Sequence, residues 1–164
     1  MMTKAAWGTL TALVYVLGLG AHAEAQLAKQ GTYTSHFGWY AMGKTYELEK
    51  GHTFFQGEYS GTNFNDAGTG FLHNTSVVCP GMTEVWEGGR GEAQGNCIIT
   101  DQEGDKVFLV WKCTNPGAGC QGDFQWKGGT GKYTGITGNN TFTGFSIGAT
   151  SSGHAVWKGE WKLP

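Results

Sequence analysis

The chain has 164 residues, 29 of them glycine, and a formal net charge of −2. The glycines do not recur at every third position, which excludes a collagen-like chain, and a hydrophobic fraction of 39% is too high for a disordered one. Since 11 Lys and Arg stand against 13 Asp and Glu, there is no basic field for a phosphate backbone, and nucleic acid is not an expected partner.

The N-terminus has the pattern of an export signal. Lys4 precedes an apolar run at 5–20, which is shorter than the about 20 residues that a membrane-spanning helix needs. The small residues of AHA at 21–23 then suit a cleavage site. We therefore expect a signal peptide at 1–25, a single domain at 26–164, and a secreted or periplasmic protein without stable membrane insertion. A retained N-terminal anchor is the alternative.

The rest of the chain alternates short β-rich segments with glycine-containing turns, which predicts an all-β domain with little helix. About eight strands of this length favour a closed antiparallel eight-stranded β-barrel, which has no exposed edges and can hold one small ligand. An open β-sandwich is the alternative. In chain order the predicted strands are TYTSHFGWY and KTYELEK near the start, HTFFQGEYSGT (52–62), FLHNTSVVC (71–79), GEAQGNCIITD (91–101), KVFLVWKC (106–113), DFQWKG, NTFTGFSIG and GHAVWKGEWKL.

Alternation along the strands shows which side chains share a face. Trp157 and Trp161 share one face of the last strand, which we expect to point inward. His52, Gln56 and Glu58 share a face of another strand with one aromatic residue. If that face points into the barrel it builds a mixed pocket, and if it points outward it is a solvated surface. The sequence leaves both orientations open.

Export changes how the four cysteines are interpreted, because an oxidising compartment favours disulfides. Cys113 and Cys120 enclose TNPGAG, whose Asn-Pro-Gly turn folds the chain back, and this leaves Cys79 to Cys97. Four cysteines allow three pairings, and we favour this one. We expect no metal site, because the cysteines and histidines lack ligand spacing.

A glycine-rich segment, GGTGKYTGITG (128–138), follows Trp126-Lys127 and precedes NNTFTG. It lacks the spacing of a phosphate loop and no helix follows it, so we interpret it as a tight bend feeding a strand. This run resembles the signature of allene oxide cyclase-like and dirigent-like β-barrels, and the resemblance covers the C-terminal half best. It implies an eight-stranded barrel of the allene oxide cyclase-like type, a hydrophobic or phenolic ligand in the lumen, no cofactor, and a homo-oligomer in many members. The resemblance assigns a catalytic role to no residue of this chain.

Candidate site residues must therefore come from polar and aromatic side chains that could line the lumen. A carboxyl group in an apolar barrel has a raised pKa, so Glu58 with His52 or Gln56 of the same strand face is the candidate acid/base pair. Tyr59, on the opposite face of that strand, is a further candidate proton-handling group. The only arginine in the chain, Arg90, could clamp a carboxylate. Further candidate ligand-binding residues are Gln56, Tyr40, Trp86, Trp111 and Tyr133.

Three functions remain open at this stage. The first is an exported barrel that binds a hydrophobic, aromatic or phenolic small molecule, which the 13% aromatic content favours. The second is a cofactor-free isomerase, cyclase or lyase acting on such a molecule, mainly by positioning it. The third is a structural or interaction protein with a filled lumen and an exposed apolar patch.

Overall fold

The computed structural model describes residues 27–117 and 119–164. The expected signal peptide at 1–25 lies outside the described residues. Eight strands form one closed antiparallel barrel in which each strand pairs with its neighbours in the sequence and β1 pairs with β8. The strands are β1 (Gln30–Glu49), β2 (His52–Asn65), β3 (Thr75–Val85), β4 (Gly91–Thr100), β5 (Lys106–Thr114), β6 (Cys120–Gly129), β7 (Asn139–Ser146) and β8 (Ser152–Lys162).

The predicted fold class, a closed antiparallel eight-stranded barrel, is therefore confirmed, and the alternative of an open β-sandwich is excluded. Within the described residues the helical structure is limited to two 3₁₀ turns, at Glu87–Gly89 and Gly131–Tyr133. None of the helices described is long and apolar enough to cross a membrane.

Three segments differ from the predicted strands. The two strands expected near the start are one strand, β1, which is 20 residues long. Phe71 and Leu72 belong to the β2–β3 loop, and β3 begins only at Thr75. The second half of GGTGKYTGITG is a turn region rather than a strand, and β7 begins at Asn139. Phe71 and Leu72 have high β propensity, but contacts that are distant in sequence, such as that of Phe71 with Trp161, place them in a loop.

The β2–β3 loop closes one end of the barrel. Phe71 stacks on Trp161 of β8 with ring centroids 4.2 Å apart, and Leu72 is almost completely buried. The side-chain amides of two β2 residues hold this loop: Asn63 donates to the carbonyl oxygen of Leu72 at 2.7 Å, and Asn65 donates to that of Phe71 at 2.9 Å. Because these buried amides donate hydrogen bonds to the loop carbonyls, the loop backbone can be buried inside the barrel. The loop therefore forms a plug at this end.

Both predicted disulfides are formed, between Cys79 and Cys97 and between Cys113 and Cys120. The first joins facing positions of β3 and β4, since the adjacent Val78 pairs with Ile98. The second joins the end of β5 to the start of β6 and closes the loop between them. Disulfides are typical of oxidising compartments, which is consistent with an extracellular protein.

Candidate functional site

The end of the barrel opposite the plug contains a cavity of about 320 Å³. Its wall is made by inward-facing side chains of every strand, because alternate residues of each strand point into the lumen. The lining is mainly aromatic and aliphatic and includes cysteines of both disulfides. The cavity is lined by Phe37, Trp39, Tyr59, Cys79, Thr83, Val85, Ala93, Cys97, Leu109, Trp111, Pro116, Gly117, Cys120, Phe124, Phe142, Gly144, Ser146, Ala155 and Trp157.

Glycines on neighbouring strands make room for the large rings in this wall. Trp111 of β5 is paired with Gly95 of β4, and a methyl group at Gly95 would lie 2.9 Å from the indole Nε1. A methyl group at Gly81 of β3 would lie 2.8 Å from Cζ2 of the same indole. The indole therefore covers the backbone of two adjacent strands, where any side chain would displace it. The rings lie against the wall and leave space in the centre.

The cavity has few polar groups. The hydroxyl groups of Tyr59 and Thr83 are 2.6 Å apart and hydrogen-bonded to each other. These two groups carry two O–H hydrogens and need only one for this bond, so the pair keeps one donor for a ligand. Trp111 Nε1 is buried and has no acceptor among the described residues. No Asp, Glu, Lys, Arg or His belongs to the lining residues that the structure describes.

Among the residues that the structure describes, Tyr59 is the one titratable group whose side chain lines the cavity. Burial raises the pKa of Tyr59 above its ordinary value, and the hydrogen bond with Thr83 offsets only part of this rise. The phenol is therefore neutral at physiological pH and acts as a hydrogen-bonding group. It is a poor proton donor or acceptor for catalysis near pH 7, because general acid/base catalysis works best with a pKa near the operating pH.

The other candidate acid/base residues lie outside the lumen. Glu58 pairs across the sheet with exposed Met42 and accepts a hydrogen bond from Ser60 Oγ at 2.8 Å. His52 Nε2 lies 2.7 Å from Glu84 Oε1, and its ring stacks on Trp86 with centroids 5.0 Å apart. The polar face of β2 is therefore its outer face, so the hypothesis that Glu58 and His52 form an acid/base pair inside the lumen is wrong.

Most of the remaining candidate ligand-binding residues also lie outside the cavity. Gln56 and Tyr40 are exposed on the outer face of the β1–β2 ribbon, and Trp86 is exposed on the β3–β4 loop. Arg90 is exposed on that loop too and is not among the residues that line the cavity. Tyr133 is buried against Phe71 at the closed end. Trp111 is the one residue of this set that the structure places in the cavity wall.

Two loops meet at the cavity mouth. Gly117 of the β5–β6 loop lines the cavity and donates from its backbone N–H to the carbonyl of Gly89 in the β3–β4 loop at 3.2 Å. Asn115 donates in the same way to Gly91 at 2.9 Å. The Cys113–Cys120 disulfide fixes the base of the β5–β6 loop. These contacts join the β3–β4 loop to the β5–β6 loop.

An acidic trio lies at the opposite end, on the β4–β5 loop. Asp101, Glu103 and Asp105 offer oxygen atoms within 4.8 Å of one another. Lys132 Nζ lies 2.7 Å from Asp101 Oδ2 and 2.8 Å from Glu103 Oε2. Burial alone would raise the pKa of Asp101, but Lys132 and the backbone N–H groups of Glu103 and Asp105 together outweigh it, so the pKa is lowered. The trio is therefore an ion-pair network that holds the β4–β5 loop against the turn at Gly131–Tyr133.

Sequence reasoning missed most of the cavity wall, including Phe37, Trp39, Thr83, Phe142 and Ala155. They could have been found by starting from the strand face on which Trp157 lies, which the sequence predicts to point inward. Extending that face by alternation gives Ala155, and the pairing of β8 with β1 extends it to Phe37 and Trp39. That step needs the strand register, which comes from the structure.

No protein-family model matches this sequence, and no curated protein sequence matches it. The fold and the cavity define the class: a small closed β-barrel with two disulfides, one plugged end and an apolar cavity at the other end.

Proposed function

We propose that this protein is an exported binding protein whose barrel lumen takes up a small, neutral aromatic or phenolic molecule. The observation that carries the proposal is the cavity of about 320 Å³, walled by aromatic rings around one spare hydroxyl donor. Ligand cavities of proteins measure about 300–1,000 Å³ and are mostly apolar with a few polar groups. A volume at the lower end of this range suits a molecule of one or two rings. The resemblance to allene oxide cyclase-like and dirigent-like barrels supports the same ligand class.

Neutrality follows from the chemistry of the wall. An ionised ligand would lose its hydration in the cavity without meeting a counter-charge, which costs several kcal/mol or more. A neutral ligand with a phenol, ether or carbonyl oxygen loses less free energy on entering the cavity, because the Tyr59–Thr83 pair can donate a hydrogen bond to that oxygen. The ligand class is therefore an aromatic molecule with one oxygen function and no charge.

Binding without chemistry is favoured over isomerisation or lyase chemistry. Proton transfer would need a group that titrates near neutral pH, and Tyr59, whose pKa is raised, is the only titratable side chain among the described lining residues. The carboxyl of Glu58 and the imidazole of His52 lie on the outside of the barrel.

The test compares two probes that share the naphthalene ring, neutral 2-naphthol and anionic 2-naphthoate, titrated into the purified protein while tryptophan fluorescence is followed. We expect saturable binding of one equivalent of 2-naphthol and affinity for 2-naphthoate that is at least tenfold lower. Gly144→Val places a branched side chain in the cavity, where the nearest contact of the new Cβ is Cys120 Cβ at 3.3 Å. This variant should lose binding of 2-naphthol.

Gly38→Val is the matched control, because Gly38 is an exposed strand residue with no atom within 4 Å of the new Cβ. It should bind like the original protein. Equal binding by Gly144→Val and Gly38→Val, or no binding of 2-naphthol at all, would overturn the proposal. Preference for the naphthoate would refute the neutral-ligand argument.

A further inference from the structure

The hydroxyl groups of the cavity lie toward its mouth. β3 runs from the plugged end of the barrel toward the mouth. The backbone of Tyr59 pairs with Cys79 of β3, but its hydroxyl group reaches past Cys79 to Thr83, which is nearer the mouth, at 2.6 Å. Ser146 is the last residue of β7 at the mouth and is exposed. These three residues supply every side-chain hydroxyl group of the described cavity lining.

Three aromatic rings form the floor of the cavity. Trp157 packs on Phe37 and on Phe124, with ring centroids 5.3 Å apart in both pairs, and all three residues are at most 4% exposed. Below them, Phe124 contacts Trp126 at 5.2 Å, and Trp126 contacts Phe71 of the plug at 5.7 Å. The rings that the structure describes are therefore in continuous contact from the floor to the plug, and this end of the cavity is closed.

The cavity reaches the surface only at the other end of its described lining. Gly117 of the β5–β6 loop and Ser146 line the cavity and are both exposed. Ile147 follows Ser146 and is 56% exposed, so the rim of the mouth includes an apolar side chain. A ligand oxygen that is bound by the Tyr59–Thr83 pair therefore lies on the mouth side of the cavity, and the ring that carries it lies on the floor side.

We propose that the ligand binds in one direction, with its aromatic ring on the floor and its oxygen toward the mouth. This inference rests on the proposed function and defines the ligand class more closely. A chain attached to the oxygen leaves through the mouth, whereas a chain at the far end of the ring meets Phe37, Phe124 and Trp157. The site therefore accepts aryl ethers and aryl esters with long chains, and it discriminates against aromatic molecules that are extended at the end opposite the oxygen.

The Tyr59–Thr83 pair sets the direction of binding. A ligand that is extended at the far end of its ring can turn round and direct the extension out of the mouth. Its oxygen then lies at the floor, away from the Tyr59–Thr83 pair, and loses the hydrogen bond with that pair. Apolar burial is non-directional and contributes similarly in both directions. The hydrogen bond therefore decides which end of the ligand points to the mouth.

The experiment titrates two pairs of isomers into the purified protein and follows tryptophan fluorescence. The short pair is 2-methoxynaphthalene and 6-methyl-2-naphthol, and the long pair is 2-hexyloxynaphthalene and 6-hexyl-2-naphthol. In each pair the ether carries its chain on the oxygen, and the naphthol carries it at the opposite end of the ring. We expect the ratio of dissociation constants, naphthol over ether, to be at least fivefold larger for the long pair than for the short pair.

A double variant tests which groups set the direction. Tyr59→Phe combined with Thr83→Val removes both hydroxyl groups, and the ratios of the two pairs should then agree within twofold. Tyr40→Phe combined with Thr62→Val is the matched control, because it makes the same two changes on the outer face of the barrel, and it should keep the original ratios. The comparison of isomers in the original protein stands whether or not the first double variant folds.

Equal ratios for the two pairs in a protein that binds 2-naphthol would overturn the direction of binding and leave the proposed function standing. Tighter binding of 6-hexyl-2-naphthol than of its isomer would place the oxygen at the floor and overturn it too. A preference that survives in the double variant would refute the part assigned to Tyr59 and Thr83. Failure to bind 2-naphthol itself would overturn both this inference and the proposed function.

Discussion

Trp39 of β1 lies over Gly153 of β8, the residue opposite it in the barrel wall. A methyl group at Gly153 would overlap the indole Cζ2 and Cη2 atoms. Phe142 and Gly122 form a similar pair across β7 and β6, where a methyl group at Gly122 would lie 2.6 Å from the ring Cε1. Several glycines of this chain thus make room for the aromatic side chains of the wall. Because each glycine lacks a side chain, a ring can lie against the backbone and stays out of the centre of the cavity.

Gly153→Ala should therefore reduce both stability and cavity volume. The added methyl group must displace Trp39 or the strand, and overpacking of this kind costs about 1–3 kcal/mol. If the indole moves toward the lumen, affinity for 2-naphthol should fall at least tenfold. Urea unfolding and fluorescence titration measure the two effects. Gly38→Ala, an exposed change on β1, should leave both within error, and an equally mild result for Gly153→Ala would contradict the role assigned to this glycine.

Part of the cavity could be predicted from alternation alone. Trp157 and Trp161 lie inward as expected, and Trp111 shares its buried face with Val107 and Leu109. Their strands contain a face whose burial is unambiguous, because large apolar residues recur at every second position. Both disulfides were also predictable, since a short turn brings Cys113 back to Cys120 and leaves one pairing for the other two.

The orientation of β2 could not be predicted, because both of its faces mix aromatic and polar residues. Phe54 and Glu58 lie on one face, and Phe55 and Tyr59 lie on the other. The register with β1 decides between them, since Gly61 pairs with inward-facing Trp39 and Tyr59 lies two residues before it on the same face. Local propensity fails for the plug as well, because Leu72 adopts φ 51° to reach the barrel interior.

Substitution of His52 and Glu58 should not alter ligand binding. Both side chains lie on the outer face of β2, so His52→Ala and Glu58→Gln should bind 2-naphthol within twofold of the original protein. His52→Ala should still lower stability by about 1 kcal/mol, because it removes a hydrogen bond to Glu84 and the stacking partner of Trp86. Tyr59→Phe is the comparison inside the cavity and should weaken 2-naphthol several-fold. A tenfold loss in Glu58→Gln would contradict this assignment.

Tyr33 should make the barrel sensitive to alkaline pH. Its hydroxyl group is buried without a hydrogen-bond partner among the described residues, and burial raises its pKa well above the ordinary value of 10.0. The unfolded chain therefore loses this proton at a lower pH than the folded one. The contribution to stability is complete below about pH 10 and is lost as the pH rises toward the folded-state pKa. Tyr59 and Tyr133 have raised pKa values too and act in the same direction.

Tyr33→Phe removes both the orphaned hydroxyl and its titration. We expect the variant to be as stable as the original protein or more stable by about 1 kcal/mol at pH 7, because an unpaired buried polar group is costly. Above pH 10 its free energy of unfolding should fall less steeply. Urea unfolding at pH 7, 9, 10 and 11 measures the slope, with Tyr40→Phe as the control because Tyr40 is exposed. Identical slopes in the two variants would show that Tyr33 does not carry the alkaline sensitivity.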